Sequence, residues 1–290
     1  MASGRARTPE TDFLPQRSET LRESFQEKMR QKGAHRGQRA GAPDGVIRVV
    51  ALSHGPHPEA ESLHEGFLPG ASKLKVTLDL LDLPPFAEGI PPSTIPLLEA
   101  VFPNLLRHRC CGGNDVHTTL FRRKPRSGCA LPPPDTQTDL CHLLEHLALE
   151  LVVAMGSATR CSGLTCAHRA PVHRFDLFLE CEDPRIGLGA LRCAAHILHA
   201  VLVQGEPPAG AVRYGETARY FLRRSRSVLN PGEVLADLQG DPLGLQEALR
   251  FLARVGFLVE EHFSFDFSGT TVYRYRLSQA LPAQPENIFF

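Results

Sequence analysis

The spacing of apolar and polar positions divides the chain into a polar arm, a body of mixed strands and helices, and a helix–helix–hairpin end. Residues 1–45 are polar, Gly/Arg-rich and poor in large apolar side chains, which predicts a disordered arm with a short helix around Glu19–Lys32. Val46–Leu52 reads as a first strand, followed by a Gly/Pro/His loop, Ser53–Pro58. Lys73–Leu83 combines alternating and continuous apolar positions before the Pro84-Pro85 break. Pro96 opens a helical segment that reaches Leu106. Residues 111–138 lack apolar periodicity and end in Pro132-Pro133-Pro134, the mark of a long loop or insertion. Arg174–Cys181 reads as a strand, with Phe175, Leu177 and Leu179 on one face, and Ile186–Gln204 as an apolar helix.

The end of the chain is punctuated by caps. Asn230-Pro231-Gly232 starts a short helix that stops at Gly240, and Asp241-Pro242 starts another, with Leu245, Ala248, Leu249 and Leu252 as its stripe up to Gly256. Phe257–Phe267 and Thr270–Leu277 follow as strands joined at Ser268-Gly269. Helix, helix, hairpin is the order of a winged-helix unit. The expected fold is α+β: a small sheet with helices packed on it, then a small winged-helix-like α/β unit. The boundaries are an arm 1–45, a body 46–205, a linker 206–224, the winged-helix-like unit 225–280 and a tail 281–290.

Between the proline run and Gly156 lies the stretch with the most chemistry in it. Leu140, Leu143, Leu144, Leu147, Ala148 and Leu151 form a core-facing stripe, and Asp139 stands where an N-cap would. The other face carries His142 and His146, about 40° apart on an ideal helix, flanked by Glu145 and Glu150. No Lys or Arg falls between 139 and 159, unlike an ordinary solvated face. His-x-x-Glu-His is the inverted form of the zinc-peptidase helix. Two neutral imidazoles at this spacing can share one divalent ion, and three protein ligands leave a position open for water. Glu145 is the residue placed to take that water's proton. The expected cofactor is therefore Zn²⁺ or another divalent transition metal.

Composition narrows the partners. The chain is 290 residues long with a formal net charge of zero, so nothing drives it toward nucleic acid or anionic membrane. The helix and wing of the C-terminal unit set Arg250, Arg254, Arg274 and Arg276 against Glu247, Glu260, Glu261 and Asp266, which favours a protein partner or a homodimer over DNA. No run of about 18 apolar residues stands out as a membrane span, and the N-terminus lacks a secretory core, so a cytoplasmic protein is expected. The eight cysteines include no Cys-x-x-Cys; Cys141, Cys181 and Cys193 fall in apolar stretches and read as reduced core thiols. His54 and His57 read as solvated loop residues that could reach the site, His196 and His199 as core-boundary residues, and Arg122-Arg123-Lys124 as a solvated loop that could steer an acidic polymer backbone.

Several blocks in order resemble the N-terminal domain of cyanophycin synthetases. They are Thr77-Leu78-Asp79-Leu80, Phe102-Pro103-Asn104-Leu105 leading into His108-Arg109-Cys110, and His142-Leu-Leu-Glu145-His146-Leu-Ala-Leu-Glu150-Leu151. The strand Phe175–Asp183 and the helix Gly187–Leu202 complete the match, which covers under half the chain; the His/Glu block is the specific one. The resemblance implies a domain that handles cyanophycin, a poly-aspartate with arginine on each side chain, and in many members resembles a metallo-hydrolase. It carries over to His108, His142, Glu145, His146 and Glu150. His108 is then the expected third metal ligand, with Glu180 as its rival and Glu150 either orienting His146 or replacing the third ligand. Asp176, Glu180, Glu182 and Asp183 are the acidic candidates for arginine side chains of a substrate.

Two blocks depart from the family. Its Gly-x-Thr-Arg loop reads Gly163-Leu164-Thr165-Cys166, so the cation there is missing or supplied by Arg169, and 111–138 differs in content. His168 and His173 flank a proline and could replace a ligand. There is no Gly-x-x-x-x-Gly-Lys-Ser/Thr and no room for ATP-grasp and ligase domains, so polymer synthesis is not expected. Three classes remain: a metal-dependent hydrolase of cyanophycin or a related peptide, a non-catalytic binding module for it, and a ligand-sensing winged-helix regulator.

Overall fold

The computed structural model describes residues 47–80, 90–105, 108, 136–156, 161–224, 227–265, 270–279 and 287–288. In chain order the elements are β1 (Ile47–Gly55), α1 (Pro58–Leu63), β2 (Lys73–Leu80), α2 (Thr94–Val101), α3 (Thr136–Met155), β3 (Gly163–Ala167) and β4 (Arg174–Glu180). There follow α4 (Pro184–His199) with a π-helical turn over Ala200–Gln204, α5 (Tyr214–Arg223), α6 (Pro231–Leu238), α7 (Pro242–Arg254), β5 (Leu258–Phe265), β6 (Thr270–Leu277) and β7 (Asn287–Ile288). The fold is α+β, as the pattern predicts. The arm 1–45, most of the 111–138 segment and the Ser268-Gly269 turn lie outside the described residues.

Among the described residues five strands make one antiparallel sheet in the order β3-β4-β2-β1-β7. Period-two alternation gives it two different faces. Leu74, Val76 and Leu78 of β2 and Phe175, Leu177 and Leu179 of β4 point into the main core under α3 and α4. Phe178 points the other way, into a small cluster with Ala60 and Phe67, joined by Leu164 and Cys166 of β3. On that outer face Arg48, Asp79 and Arg174 are direct cross-strand neighbours on three adjacent strands. The Asp79 carboxylate, fully buried, accepts from Arg48 Nη2 at 2.6 Å and from Arg174 Nε at 2.7 Å. The Arg174 bond first, then Arg48, holds its carboxyl down at about 2, against burial.

Helix α3 is the centre of the molecule. It packs on β3 and β4 on one side and on α4 and α5 on the other. Leu140 through Leu149 are buried except His142, so the helix is not the half-solvated amphipath its stripe suggests. It begins at Thr136, which puts Asp139 in its first turns rather than at the cap, and it ends before Gly156 as expected.

The remaining caps follow their residues. Asp183 caps α4, Asn230 and Glu233 form a reciprocal box on α6, and Asp241 accepts from Leu243 and Gly244 at the start of α7.

Several boundaries differ from expectation, beginning with β1, which runs on to Gly55 into the stretch expected as the loop Ser53–Pro58, with α1 starting at Pro58. Residues 206–224 are not a linker: α5 lies there, burying Tyr214, Thr217, Ala218, Tyr220 and Phe221 against the core. Gly215 permits that contact, because a Cβ there would stand 2.4 Å from the Ala154 side chain of α3. One core cluster then runs from Ile47 to Leu277 without a break between body and C-terminal unit. Gly163–Cys166 is a strand, not a loop, and Asn287–Ile288 of the tail pairs with Ile47 and Arg48 of β1. Finally, the stretch Pro184–Gln204 is long and apolar enough by length and composition to cross a membrane, contrary to expectation, but it is mostly buried inside the protein. Its packing against α3 and β2 accounts for its apolarity.

Candidate functional site

The matched residues of α3 come together with His108, which lies 42 positions away from Glu150 in sequence. His146 is the middle of three imidazoles. His108 stacks on it with ring centroids 4.8 Å apart, and His142 lies against it at 4.5 Å. The Nε2 atoms of His142 and His146 approach to 2.9 Å, so one donates to the other. A carboxylate closes each end of the cluster. Glu150 Oε1 accepts from His108 Nε2 at 2.5 Å, and Glu145 Oε2 stands 3.8 Å from His142 Nδ1.

Glu145 and His146 are buried, whereas His108, His142 and Glu150 keep between 16% and 19% of their side chains exposed, so the cluster meets solvent at those three. The sequence placed Glu150 beside His146; it instead fixes His108.

Strand β3 supplies what the sequence did not assign. Thr165 Oγ1 donates to Glu145 Oε2 at 2.5 Å. Two residues earlier, Gly163 makes room for the same carboxylate: a Cβ there would come within 2.8 Å of Glu145 Oε1. The legible signal was the Gly163-Leu164-Thr165 spacing, since residues two apart on a strand share a face. Burial pushes the Glu145 carboxyl up to about 7, with the Thr165 bond opposing the shift. A carboxyl poised there can both accept and release a proton near neutrality.

The other candidates lie elsewhere. Asp176 and Glu180 alternate with Leu177 and Leu179 on β4, which puts them on the outer face of the sheet, away from α3. Asp176 is engaged there by Thr77, His168 and Lys75, and Glu180 by the Leu68 amide. The alternation that buries the odd-numbered residues excludes Glu180 as a ligand beside His142 and Asp176 as a contact at this cluster. Asp183 is committed to capping α4 and to Arg185, and Glu182 is exposed at the same turn. Cys166 also packs on the outer face. His196 stacks on Phe251, as suits a core-boundary residue, at 4.1 Å.

Among the described residues, no group of three His, Cys, Asp or Glu side chains is arranged to hold a metal ion. The donor chemistry nonetheless suits one. Two nitrogens bound to one tetrahedral zinc stand about 3.3 Å apart, and the His142 and His146 nitrogens, at 2.9 Å, are a few tenths of an ångström closer. His108 would have to turn from Glu150 to join them.

No protein-family model matches this chain, and no curated protein matches its sequence.

Proposed function

We propose that this chain is a metal-dependent hydrolase that cleaves peptide or isopeptide bonds in cyanophycin or a related aspartate/arginine peptide. The observation that carries the reading is the meeting of His108, His142 and His146 in one cluster bounded by Glu145 and Glu150. Three imidazoles from two segments are the donor set of a catalytic zinc site, and the sequence block around them resembles the N-terminal domain of cyanophycin synthetases. His142 and His146 would hold the ion, with His108, once turned from Glu150, as third ligand. Zn²⁺ bound there would supply a Lewis acid for the carbonyl oxygen and ease the ionisation of water.

The chain's own residues do the proton work. Glu145 takes the proton of the attacking water and delivers it to the leaving amine. Thr165 and the space above Gly163 hold its carboxylate in one place while it does so. Assayed on cyanophycin and on β-aspartyl-arginine peptides, the zinc-loaded protein is expected to release products and the chelated protein is not. Polymer retention without turnover would instead favour the binding module.

We read α5, the Leu229–Tyr275 bridge, α6, α7 and the β5–β6 hairpin as a winged-helix-like unit that contacts protein rather than DNA. Two of its cations are paired with carboxylates, Arg250 with Glu247 and Arg276 with Glu261. Phosphate neutralisation drives even non-specific binding, so the full chain is expected to show no micromolar DNA binding at about physiological salt. Retention on duplex DNA under those conditions would reverse the assignment.

A further inference from the structure

On the sheet face opposite the histidine cluster, the end of β1 and the start of α1 bring together a hydroxyl, an imidazole and a carboxylate in series. Ser53 Oγ lies 3.3 Å from His57 Nε2, and His57 Nδ1 lies 3.1 Å from Glu59 Oε1. A carboxylate can only accept, so Nδ1 carries the ring proton and Nε2 presents its lone pair to the Ser53 hydroxyl. That is the order of parts in a hydrolytic triad: nucleophile, base, and an acid that fixes the base's tautomer.

The imidazole is held rather than solvated. Its side chain keeps only 15% exposure, and its ring meets Phe178 edge-on at 5.9 Å. His57 also adopts φ 48°, a left-handed backbone that a non-glycine residue takes at a cost, here to turn the chain from β1 into α1. Lys75 completes the group. It is the direct cross-strand neighbour of Ser53, its ammonium lies over the Phe178 ring, and its Nζ stands 3.3 Å from Asp176 Oδ2 and 3.7 Å from Glu59 Oε1. Beside them the buried Phe178 is the apolar surface that the His57 ring and the Lys75 ammonium both meet.

We infer that Ser53, His57 and Glu59 form a second hydrolytic site, for small acyl esters, independent of the histidine cluster. Ser53 Oγ attacks the ester carbonyl carbon and its proton passes to His57 Nε2. The ester C–O bond then breaks, and the leaving alkoxide takes that proton away as the alcohol. A water next gives its proton to Nε2 and attacks the acyl carbon. The Ser53 Oγ–acyl bond breaks, Oγ recovers the proton, and a carboxylic acid leaves. Lys75, the direct cross-strand neighbour of Ser53, would supply positive charge toward the developing oxyanion.

The test uses the full chain with a fluorophosphonate probe and with p-nitrophenyl acetate, both in the presence of a chelator. Ser53 is expected to be the labelled residue in peptide mapping. Ser53→Ala and His57→Gln should each lower ester turnover by about 10²-fold or more, with thermal melting close to wild type for Ser53→Ala because that side chain is exposed. Glu59→Gln should lower turnover less and shift its pH profile. Absence of label on Ser53, equal labelling in His57→Gln, or turnover retained in Ser53→Ala would each overturn the assignment. Because chelation silences the metal-dependent reading and not this one, failure of either leaves the other standing.

Discussion

Glu145→Gln is expected to keep the fold and the metal while losing about 10²–10⁴-fold in peptide turnover, the usual worth of a positioned general base. Glutamine has the shape of glutamate, so it fits beside Gly163 and can still accept from Thr165 through its carbonyl oxygen. What it cannot do is take a proton. Burial already pushes the native carboxyl up to about 7, so the neutral replacement adds no desolvation cost. Kinetics on the zinc-loaded variant, with its metal content measured on the same sample, separates this from simple loss of the ion. Turnover equal to wild type would remove Glu145 from the mechanism.

The largest expected effect on stability comes from the outer face. Asp79→Ala should cost about 3 kcal/mol, the low end for breaking a buried ion pair, because Arg48 and Arg174 are left unpaired but still reach solvent. The effect should depend on pH with a definite sign. The folded carboxyl sits at about 2, below the ordinary 3.8, so between those values the unfolded chain binds more protons. The stabilisation is complete above about 3.8 and is lost as pH falls through about 2. Denaturant midpoints of the two proteins should therefore be far apart near neutrality and converge in acid. A gap that stays constant down to the acid limit would show that Asp79 acts through packing alone.

How far such features can be read from the chain depends on whether their cause is local. Helix starts were legible because a capping side chain and a following proline act within one turn, as at Asp183, Asn230 and Asp241. The strand β4 was legible because Phe175, Leu177 and Leu179 declare its buried face. What was not legible depended on contacts distant in sequence. The polar face of α3 read as a site rather than a solvated face, but that β3 closes over Glu145 is decided only by tertiary packing. Residues 206–224 looked like a linker because α5 is short and carries polar residues between the ones it buries.

Within the site, the grouping of His142, Glu145, His146 and Glu150 was visible directly, and the resemblance added His108, which the fold brings to the same cluster. The acidic candidates on β4, Asp176 and Glu180, lie away from the cluster for a simple reason. Nearness in sequence says nothing about which face of a sheet a residue occupies, and one step along the strand reverses it. Thr165 and Gly163 were missed because their role exists only when β3 lies against α3.

The claim that His142 and His146 hold a catalytic ion is tested most directly by measuring transition metal in protein purified without chelators. About one zinc per chain is expected in the wild type, and loss of most of it in His142→Ala and His146→Ala. A wild type that carries no stoichiometric transition metal and fails to bind added Zn²⁺ would contradict it.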